Sequence, residues 1–583
     1  VDIGVIGWWH QDNQGDFAIL DCLTRALMPH RLVPIDIIFP PNRYCLQRLN
    51  LMDYLVLGGG GLIQNRLPEP FDTFDIWADQ LETPIGVTGL GVDVVPPQHR
   101  TAMAALVEQA RFFYVRDRAS QEAVAHPEVL LAPDLTFLYP LPGSDNRSTG
   151  RRQPRLCGVN LRNAPQLNAD SWIQSLCRLP LRLRGIPFST FDTWQELSIL
   201  QQIDETCATS FDPALYEDLD LMVGTAFHSV VFAIQAAVPV IGIAYAPKVR
   251  RLMTDIGLEQ YVLEPDEYDK LPGLVERALG EHSLLVERLQ ATTLTLSESA
   301  RRSMAHVRNE IERTAVPRHR VGPRASIVVV ENGSASANLS TIESCLNQTY
   351  GNVEVIFVGE DPGLPSDAVT SRTRLRIVPG HPAESVGERL NRGLVHATGE
   401  YLSWAMAGSF YARDAIACMV HHLQQVPSCD MVYCDYFTVG ERNRLTDIHP
   451  VAPADKLYRR DVVGPCFVYR QRLAEALGPF ETDTPLVAYG YWLRAHEVSN
   501  LEPMHVALFY SREDSESSHN GLRERQVRRQ WRSVKPLPVR IFWRVADTDI
   551  SEKWVVRPLL FIMRSVRSRF IDRSSSEEEA RNR

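Results

Sequence analysis

Residues 219–248, LDLMVGTAFHSVVFAIQAAVPVIGIAYAPK, constrain the fold of this chain more than any other stretch. They read as a strand (Leu219–Val223), a short loop bearing His228, an apolar helix (Val230–Ala237) and a second strand (Val240–Tyr245). Two near-continuous apolar strands around a helix of small residues are the mark of a parallel sheet covered on both faces. Ligands of open α/β sheets bind beyond the carboxyl ends of the strands. His228 and Lys248 each sit just past a strand end. A histidine at such a junction is a structural residue about as often as a functional one, and the flanking pattern tips this one towards function.

With 583 residues the chain exceeds what one core holds, so two or three domains are expected. The ten cysteines are scattered, and the closest, Cys429 and Cys434, form no CxxC pair. That argues for reduced thiols in the cytoplasm and against a zinc site or a disulfide framework. VDIGVIGWW starts as a strand with no basic leader before it, so no secretory signal is expected, and no apolar run is long enough for a membrane span. The net charge of −10 hides a basic block, since residues 523–573 hold fourteen Lys/Arg against five Asp/Glu.

The first part of the chain alternates strands and helices. Ile3–Trp8 is a strand, and Gly15-Asp16-Phe17-Ala18 opens a helix whose first N–H groups could face an anion. The strand Asp53–Leu57 runs into Gly58-Gly59-Gly60-Gly61, a run costly in entropy that suits close approach of backbone to a ligand better than a plain turn, with tight packing as the alternative. Pro84–Gly91 and Arg111–Arg116 are further strands, the latter leading into Arg116-Asp117-Arg118-Ala119-Ser120. After the polar connector Pro140–Pro154, a second half begins with Leu156–Leu161 and Arg162 and continues to the stretch quoted first. Two such halves (about 1–140 and 155–273) predict a GT-B-like pair of Rossmann-like folds, closed by a helical region at 274–313.

Asn13-Gln14-Gly15-Asp16-Phe17-Ala18, Gly58–Leu62, Val115-Arg116-Asp117 with Ser120, Pro133-Asp134, His228-Ser229 and Ala244-Tyr245-Ala246-Pro247-Lys248 occur in the order found in polysaccharide pyruvyltransferases, which residues 1–315 resemble. The resemblance implies transfer from phosphoenolpyruvate, as donor substrate and with no cofactor, to a pair of sugar hydroxyls, giving a pyruvate ketal. That chemistry needs cations and N–H groups for phosphate and carboxylate, and an acid for the enol carbon. His228 is the candidate acid or a phosphate contact. The candidate substrate-binding residues are Asn13, Gly15, Asp16, Gly58, Gly59, Gly60, Gly61, Arg116, Asp117, Arg162, Ser229 and Lys248. Of these, Arg162 and Lys248 are candidate anion clamps, and Asp16 is a helix-start residue or acceptor ligand. The family usually has arginine two residues before the histidine, where this chain has Ala226, and alanine cannot replace its bidentate binding.

Ala315–Arg324 reads as a linker, and 325–510 as a second α/β domain. Ser326–Val330, Leu339–Leu346, Asn347-Gln348-Thr349-Tyr350, Val353–Val358, Leu390-Asn391-Arg392-Gly393, Thr398-Gly399-Glu400-Tyr401-Leu402 and Trp492-Leu493-Arg494 resemble family-2 glycosyltransferases of the GT-A fold. Active members carry an Asp-x-Asp for the metal that bridges the donor diphosphate. Here the corresponding stretch is Met406-Ala407-Gly408-Ser409, and the catalytic base position is Ala488. The resemblance therefore implies a domain without metal or sugar transfer, left to bind a glycan or a partner.

Beyond the polar Ser511–Asn520, Val555, Leu559, Ile562, Met563, Val566 and Phe570 recur at helical spacing with Arg557, Arg564 and Arg567 on the other side. This basic helix either packs on the second domain or lies on an anionic membrane face. Trp531, Phe542 and Trp543 have no recognition module around them, so no nucleic acid is expected. The leading expectation is a cytoplasmic enzyme, with peripheral membrane contact as an option, acting on a saccharide or lipid-linked oligosaccharide. The alternatives are a non-catalytic scaffold of polysaccharide assembly and a glycosyltransferase using a nucleotide sugar.

Overall fold

The computed structural model describes residues 1–527 except 10–12, 65, 142–154, 190–194, 205, 319, 333, 361–373, 382, 441–444, 483–485 and 513–525. The expected basic helix around Val555–Phe570 lies outside the described residues, as does most of the connector before 155. The chain divides into two compact units, Val1–Arg318 and His319–Arg583.

The first unit holds two parallel sheets. Its first half contributes β1 (Asp2–Gly7), β2 (Arg31–Asp36), β3 (Tyr54–Ile63), β4 (Ile85–Val92), β5 (Phe113–Val115) and β6 (Leu130–Leu131) in the order β2-β1-β3-β4-β5-β6. Its second half contributes β7 (Leu156–Asn160), β8 (Arg182–Gly185), β9 (Leu221–Gly224), β10 (Val240–Ile243) and β11 (Val262–Leu263) in the order β11-β10-β9-β7-β8. Every residue of β1, β4, β9 and β10 is buried, and apart from Asp2 and Thr88 these strands are apolar or glycine along their whole length. This is the GT-B-like double Rossmann-like architecture. The 33-residue helix His282–Thr314 spans both halves. Leu285 and Leu289 enter the core of the second half, and Met304, Val307 and Ile311 that of the first. Each such burial contributes roughly 1.5–3 kcal/mol over exposure.

The four glycines differ from expectation. They form no loop but lie inside β3, with positive φ at Gly58, Gly59 and Gly60. A Cβ at Gly58 would fall 1.9 Å from the Thr88 carbonyl oxygen, and one at Gly59 2.3 Å from Cγ2 of Ile19. Close packing of β3 against β4 and the first helix accounts for Gly58 and Gly59, whereas Gly61 lines the cleft described below.

The second unit is a mixed sheet. It comprises β12 (Ala325–Val330), β13 (Val353–Val358), β14 (Leu375–Val378), β15 (Tyr401–Met406), β16 (Phe410–Tyr411), β17 (Met431–Val439), β18 (Leu445–His449), β19 (Phe467–Arg470) and β20 (Leu501–Arg512). The order is β14-β13-β12-β15-β19-β17-β20-β16, with β18 paired to β17. Its first four strands are parallel, and β19 runs against both β15 and β17. This is a GT-A-like layout, a Rossmann-like half joined to a mixed half. Trp492, on the helix Val487–Val498, is fully buried against Phe467 and Tyr469. Ala488 opens that same helix.

Candidate active site

The first unit carries a cleft of about 520 Å³ between its two halves, walled among others by Asn13, Asp16, Gly61, Arg116, Arg162, Ala226, His228, Tyr245 and Lys248. Three helix starts supply Asn13, Asp16, Ala226, His228 and Lys248, while Gly61, Arg116 and Arg162 come from β3 and the ends of β5 and β7. Gln14–Ala26 is capped by Asn13, whose side chain accepts from the Gly15 N–H. Phe227–Gln235 and Pro247–Asp255 begin at Ala226 and Ala246, which have no capping side chain. Their first-turn N–H groups thus give the cleft positive ends suited to an anion. His228 and Lys248 are in these first turns, so the loop expected around His228 is in fact the start of the helix.

His228 is buried, with Nε2 3.8 Å from Oδ2 of Asp134. A Cβ on Gly15 would sit 1.7 Å from Nδ1 of His228, so the ring lies directly on that glycine, which serves as a packing surface. Arg116, from the end of β5, approaches Asp134 (Nη1 to Oδ2, 3.6 Å) and Asp117 (Nε to Oδ2, 3.6 Å). Its guanidinium also stacks on Phe227, 4.3 Å from the ring centroid, in a favourable cation–π contact. A cation therefore stands beside the segment where Ala226 offers none.

Arg162 reaches the cleft wall with its guanidinium engaged. Its Nε donates to Oε2 of Glu196 at 2.7 Å, and it bonds the Tyr245 hydroxyl. Glu196 is completely buried, and its Oε1 accepts from Asn160 Nδ2 (2.9 Å), Ser189 N (3.1 Å) and Phe188 N. Arg162 is thus part of the frame rather than an unengaged clamp. Lys248 and Arg116 also line the cleft, and Arg116 stands 3.6 Å from each of its two carboxylates, beyond hydrogen-bond range. Arg250 pairs with Glu264 instead (2.5 Å).

Burial opposes charge throughout the cleft. It pulls the Lys248 ammonium below its ordinary range, helped by Arg116 and Arg162 and opposed by Tyr245 and Asp16. It lifts the Asp16 carboxyl, against His228, Lys248 and Arg116. Burial also pushes the Tyr245 phenol up, but Lys248 and Arg162 outweigh it and leave the phenol below the usual tyrosine value. For Asp134, burial is overcome by His228, Arg116 and the Thr136 hydroxyl, which hold the carboxyl well below its usual range.

Of the candidates from sequence, Asn13, Asp16, Gly61, Arg116, Arg162, His228 and Lys248 share this cleft. Gly15 lies beneath His228. Gly58, Gly59 and Gly60 are not part of the wall. Asp117 caps the helix Arg118–Val124 through Ser120, and the Ser229 hydroxyl donates to the Ala226 carbonyl at 2.7 Å, so both are framework residues. Tyr245 and Asp134 were missed as site residues, although each lay inside a quoted motif. Their chemistry depends on partners distant in sequence.

The second unit has a cleft of about 340 Å³ at the ends of β12 and β15, walled by Asn332, Ser334, Trp404, Met406–Ser409, Phe509 and Arg512 among others. Among the described residues no Asp, Glu, His or Lys lines it, and Arg512 donates to the Gly408 carbonyl at 2.9 Å. Elsewhere in this unit His422, Cys429 and Glu502 have donor atoms within 4.8 Å of one another, a grouping that spacing along the chain does not suggest. No helix among the described residues is long and apolar enough to cross a membrane.

Residues 13–183 match the family model for polysaccharide pyruvyl transferase. The matched segment includes Asn13, Asp16, Arg116, Asp134 and Arg162 and ends before His228 and Lys248. Curated relatives include a protein named as an uncharacterized glycosyltransferase in Rickettsia typhi, 23% identical over 219 residues, covering 35% of this chain and 68% of the relative. A similarly named Rickettsia felis protein is 26% identical, with 34% of this chain covering 36% of it. Among solved structures, Staphylococcus aureus TarS 1–349 in complex with UDP-GlcNAc aligns at a TM-score of 0.31 and 13% identity, over 38% of this chain and 70% of that one. Full TarS aligns at 0.30 and 13% identity, over 38% of this chain and 42% of that one. A Pyrobaculum calidifontis mannosyltransferase in complex with GDP-Man and Mn2+ aligns at 0.28 and 17% identity, over 42% and 73%. The family match and the named relatives support a transferase.

Proposed function

We propose that the first unit transfers a pyruvyl group from phosphoenolpyruvate to two hydroxyls of a saccharide, in a polysaccharide or its lipid-linked precursor. The observation that carries this reading is the convergence of Arg116, Lys248, His228 and two helix starts without capping side chains on one cleft, in a unit whose first half matches the pyruvyl transferase family.

In this reading Lys248, Arg116 and the first-turn N–H groups take the phosphate and carboxylate. Arg116 supplies from β5 the charge that Ala226 lacks. His228 gives a proton to the methylene carbon of the enol, and the C2=C3 pair forms the new C–H bond. A first sugar hydroxyl adds to C2 and loses its proton to Tyr245, whose ionised form is favoured by Lys248 and Arg162. Cleavage of the C2–O bond releases phosphate, and the second hydroxyl adds and loses its proton. Of the two hydroxyl protons, one ends on the methyl carbon and the other on phosphate. We assign the second unit to binding the acceptor or a partner. The ten unpaired cysteines support a cytoplasmic setting.

Calorimetry of phosphoenolpyruvate on the full chain, with a nucleotide diphosphate as competitor, tests the reading. Binding that His228→Ala or Lys248→Ala abolishes supports it, and a mass-spectrometric screen for acceptors gaining a pyruvyl ketal completes the test. Folded protein that ignores phosphoenolpyruvate but binds the nucleotide in this cleft would replace it with nucleotide-sugar chemistry.

A further inference from the structure

Nε of Arg116, Oδ2 of Asp134 and Nε2 of His228 are buried and have no hydrogen-bond partner among the described residues, and of these Oδ2 of Asp134 and Nε2 of His228 face each other. Buried polar atoms left open in this way are uncommon and call for a reason. Asp134 is rigidly held. Its Oδ1 accepts from the Thr136 N–H at 3.0 Å and the Thr136 hydroxyl at 2.7 Å, which aims Oδ2 at Nη1 of Arg116 (3.6 Å) and Nε2 of His228 (3.8 Å). The opposite edge of the imidazole lies on Gly15, where no side chain fits, so the ring is gripped on both edges.

We propose that Asp134 is a positioning residue, holding the Nε2 edge of His228 by its charge so that the ring keeps one orientation against Gly15 for proton exchange with the substrate. This rests on the reading of His228 as the proton-transfer group. Asp134 touches no reacting atom. It fixes the ring by facing Nε2 with a carboxylate that Thr136 holds in place.

Asp134→Asn can keep both Thr136 bonds through its amide oxygen, and it replaces the charged Oδ2 that faces His228 with an uncharged NH2 group. It should lower kcat for pyruvyl transfer by about 100-fold while phosphoenolpyruvate affinity stays near that of the wild type. If Asp134 works through His228, the pair Asp134→Asn/His228→Ala is no slower than His228→Ala alone. Independent losses that multiply, or a kcat untouched by Asp134→Asn, overturn the proposal. Thr136→Val, which removes the hydroxyl anchor and keeps the carboxylate, should give a smaller loss of the same kind. That variant decides the matter if Asp134→Asn does not fold.

Carbethoxylation of His228, located by peptide mass spectrometry, separates this idea from the reading beneath it. Without any transfer by the wild type, the reaction assignment fails. An altered carbethoxylation rate at His228 alone in Asp134→Asn still supports the pairing, and an unaltered rate refutes it.

Discussion

The two clefts answer the same backbone problem with opposite side chains. Each lies at strand ends beside a helix start, where α/β sheets take ligands. In the first unit the walls bring together Asp16, Arg116, Arg162, His228, Tyr245 and Lys248, although burial opposes the charged forms of Asp16, Arg162, Tyr245 and Lys248. In the second, Met406-Ala407-Gly408-Ser409 and neighbouring serines leave Arg512 as the one charged side chain among the described lining residues. Buried charges are expensive to keep without partners. The first cleft therefore gathers ionisable side chains of both signs, and the second gathers one cation among its described lining residues. His228→Ala is the largest test of that contrast. It should reduce pyruvyl transfer by about 10³-fold, within the range for loss of a general acid, with the melting temperature little changed. Steady-state rates on the full chain give the answer.

The next effect is on stability. Glu196 is fully buried and ties Arg162 and Asn160 to the backbone of Phe188 and Ser189. Glu196→Gln leaves the Arg162 charge buried without its counterion, and breaking such a pair costs about 3–5 kcal/mol. Urea unfolding followed by tryptophan fluorescence should show a transition of the first unit moved to lower denaturant. The same substitution in a merely solvated pair would shift it by less than about 1 kcal/mol.

How much of this was legible beforehand follows from the range of the interactions. The two-unit α/β fold could be read because strands such as Val240–Ile243 are apolar at every position, a pattern written in neighbouring residues. His228, Lys248, Arg116 and Asp16 could be found by their position at strand ends and helix starts. The packing of Gly58 and Gly59 was not legible because what crowds them, the Thr88 carbonyl and Ile19, belongs to other elements. The engagement of Arg162 by Glu196 spans 34 residues. The depressed Tyr245 phenol comes from Lys248, three residues on, acting jointly with Arg162, 83 positions away. Periodicity reports which residues are inside. It does not report which buried charges meet.

A smaller effect tests the electrostatics of the first cleft. Because Lys248 and Arg162 hold the Tyr245 phenol below its usual value, its ionised fraction rises at lower pH than for an ordinary tyrosine near 10. If the phenolate takes the hydroxyl proton, kcat/KM should climb on the alkaline side with a midpoint below about 10, and Tyr245→Phe should flatten that climb and lower the rate by about 10²-fold. Lys248→Met in the same assay should move the midpoint upward, since the ammonium that favours the phenolate is gone. A climb unchanged in Tyr245→Phe would transfer the base role to another group.

The smallest expected effect falls on the second cleft, and it is the one that could erase the contrast. A divalent cation bridging a sugar-nucleotide diphosphate needs hard oxygen ligands, and Met406–Ser409 present backbone and one hydroxyl but no carboxylate. Chelation with EDTA should therefore leave pyruvyl transfer unchanged. Mn2+ should add nothing to the binding of a nucleotide sugar by the full chain, measured by calorimetry with and without the metal. Metal-dependent nucleotide-sugar binding would mean that carboxylates outside this wall reach into it, and the two clefts would have to be read as two transferases. Metal-independent binding that Arg512→Ala weakens would have a different meaning. The second cleft would then have kept its affinity for a phosphorylated or sugar ligand after losing the ionisable groups that transfer requires.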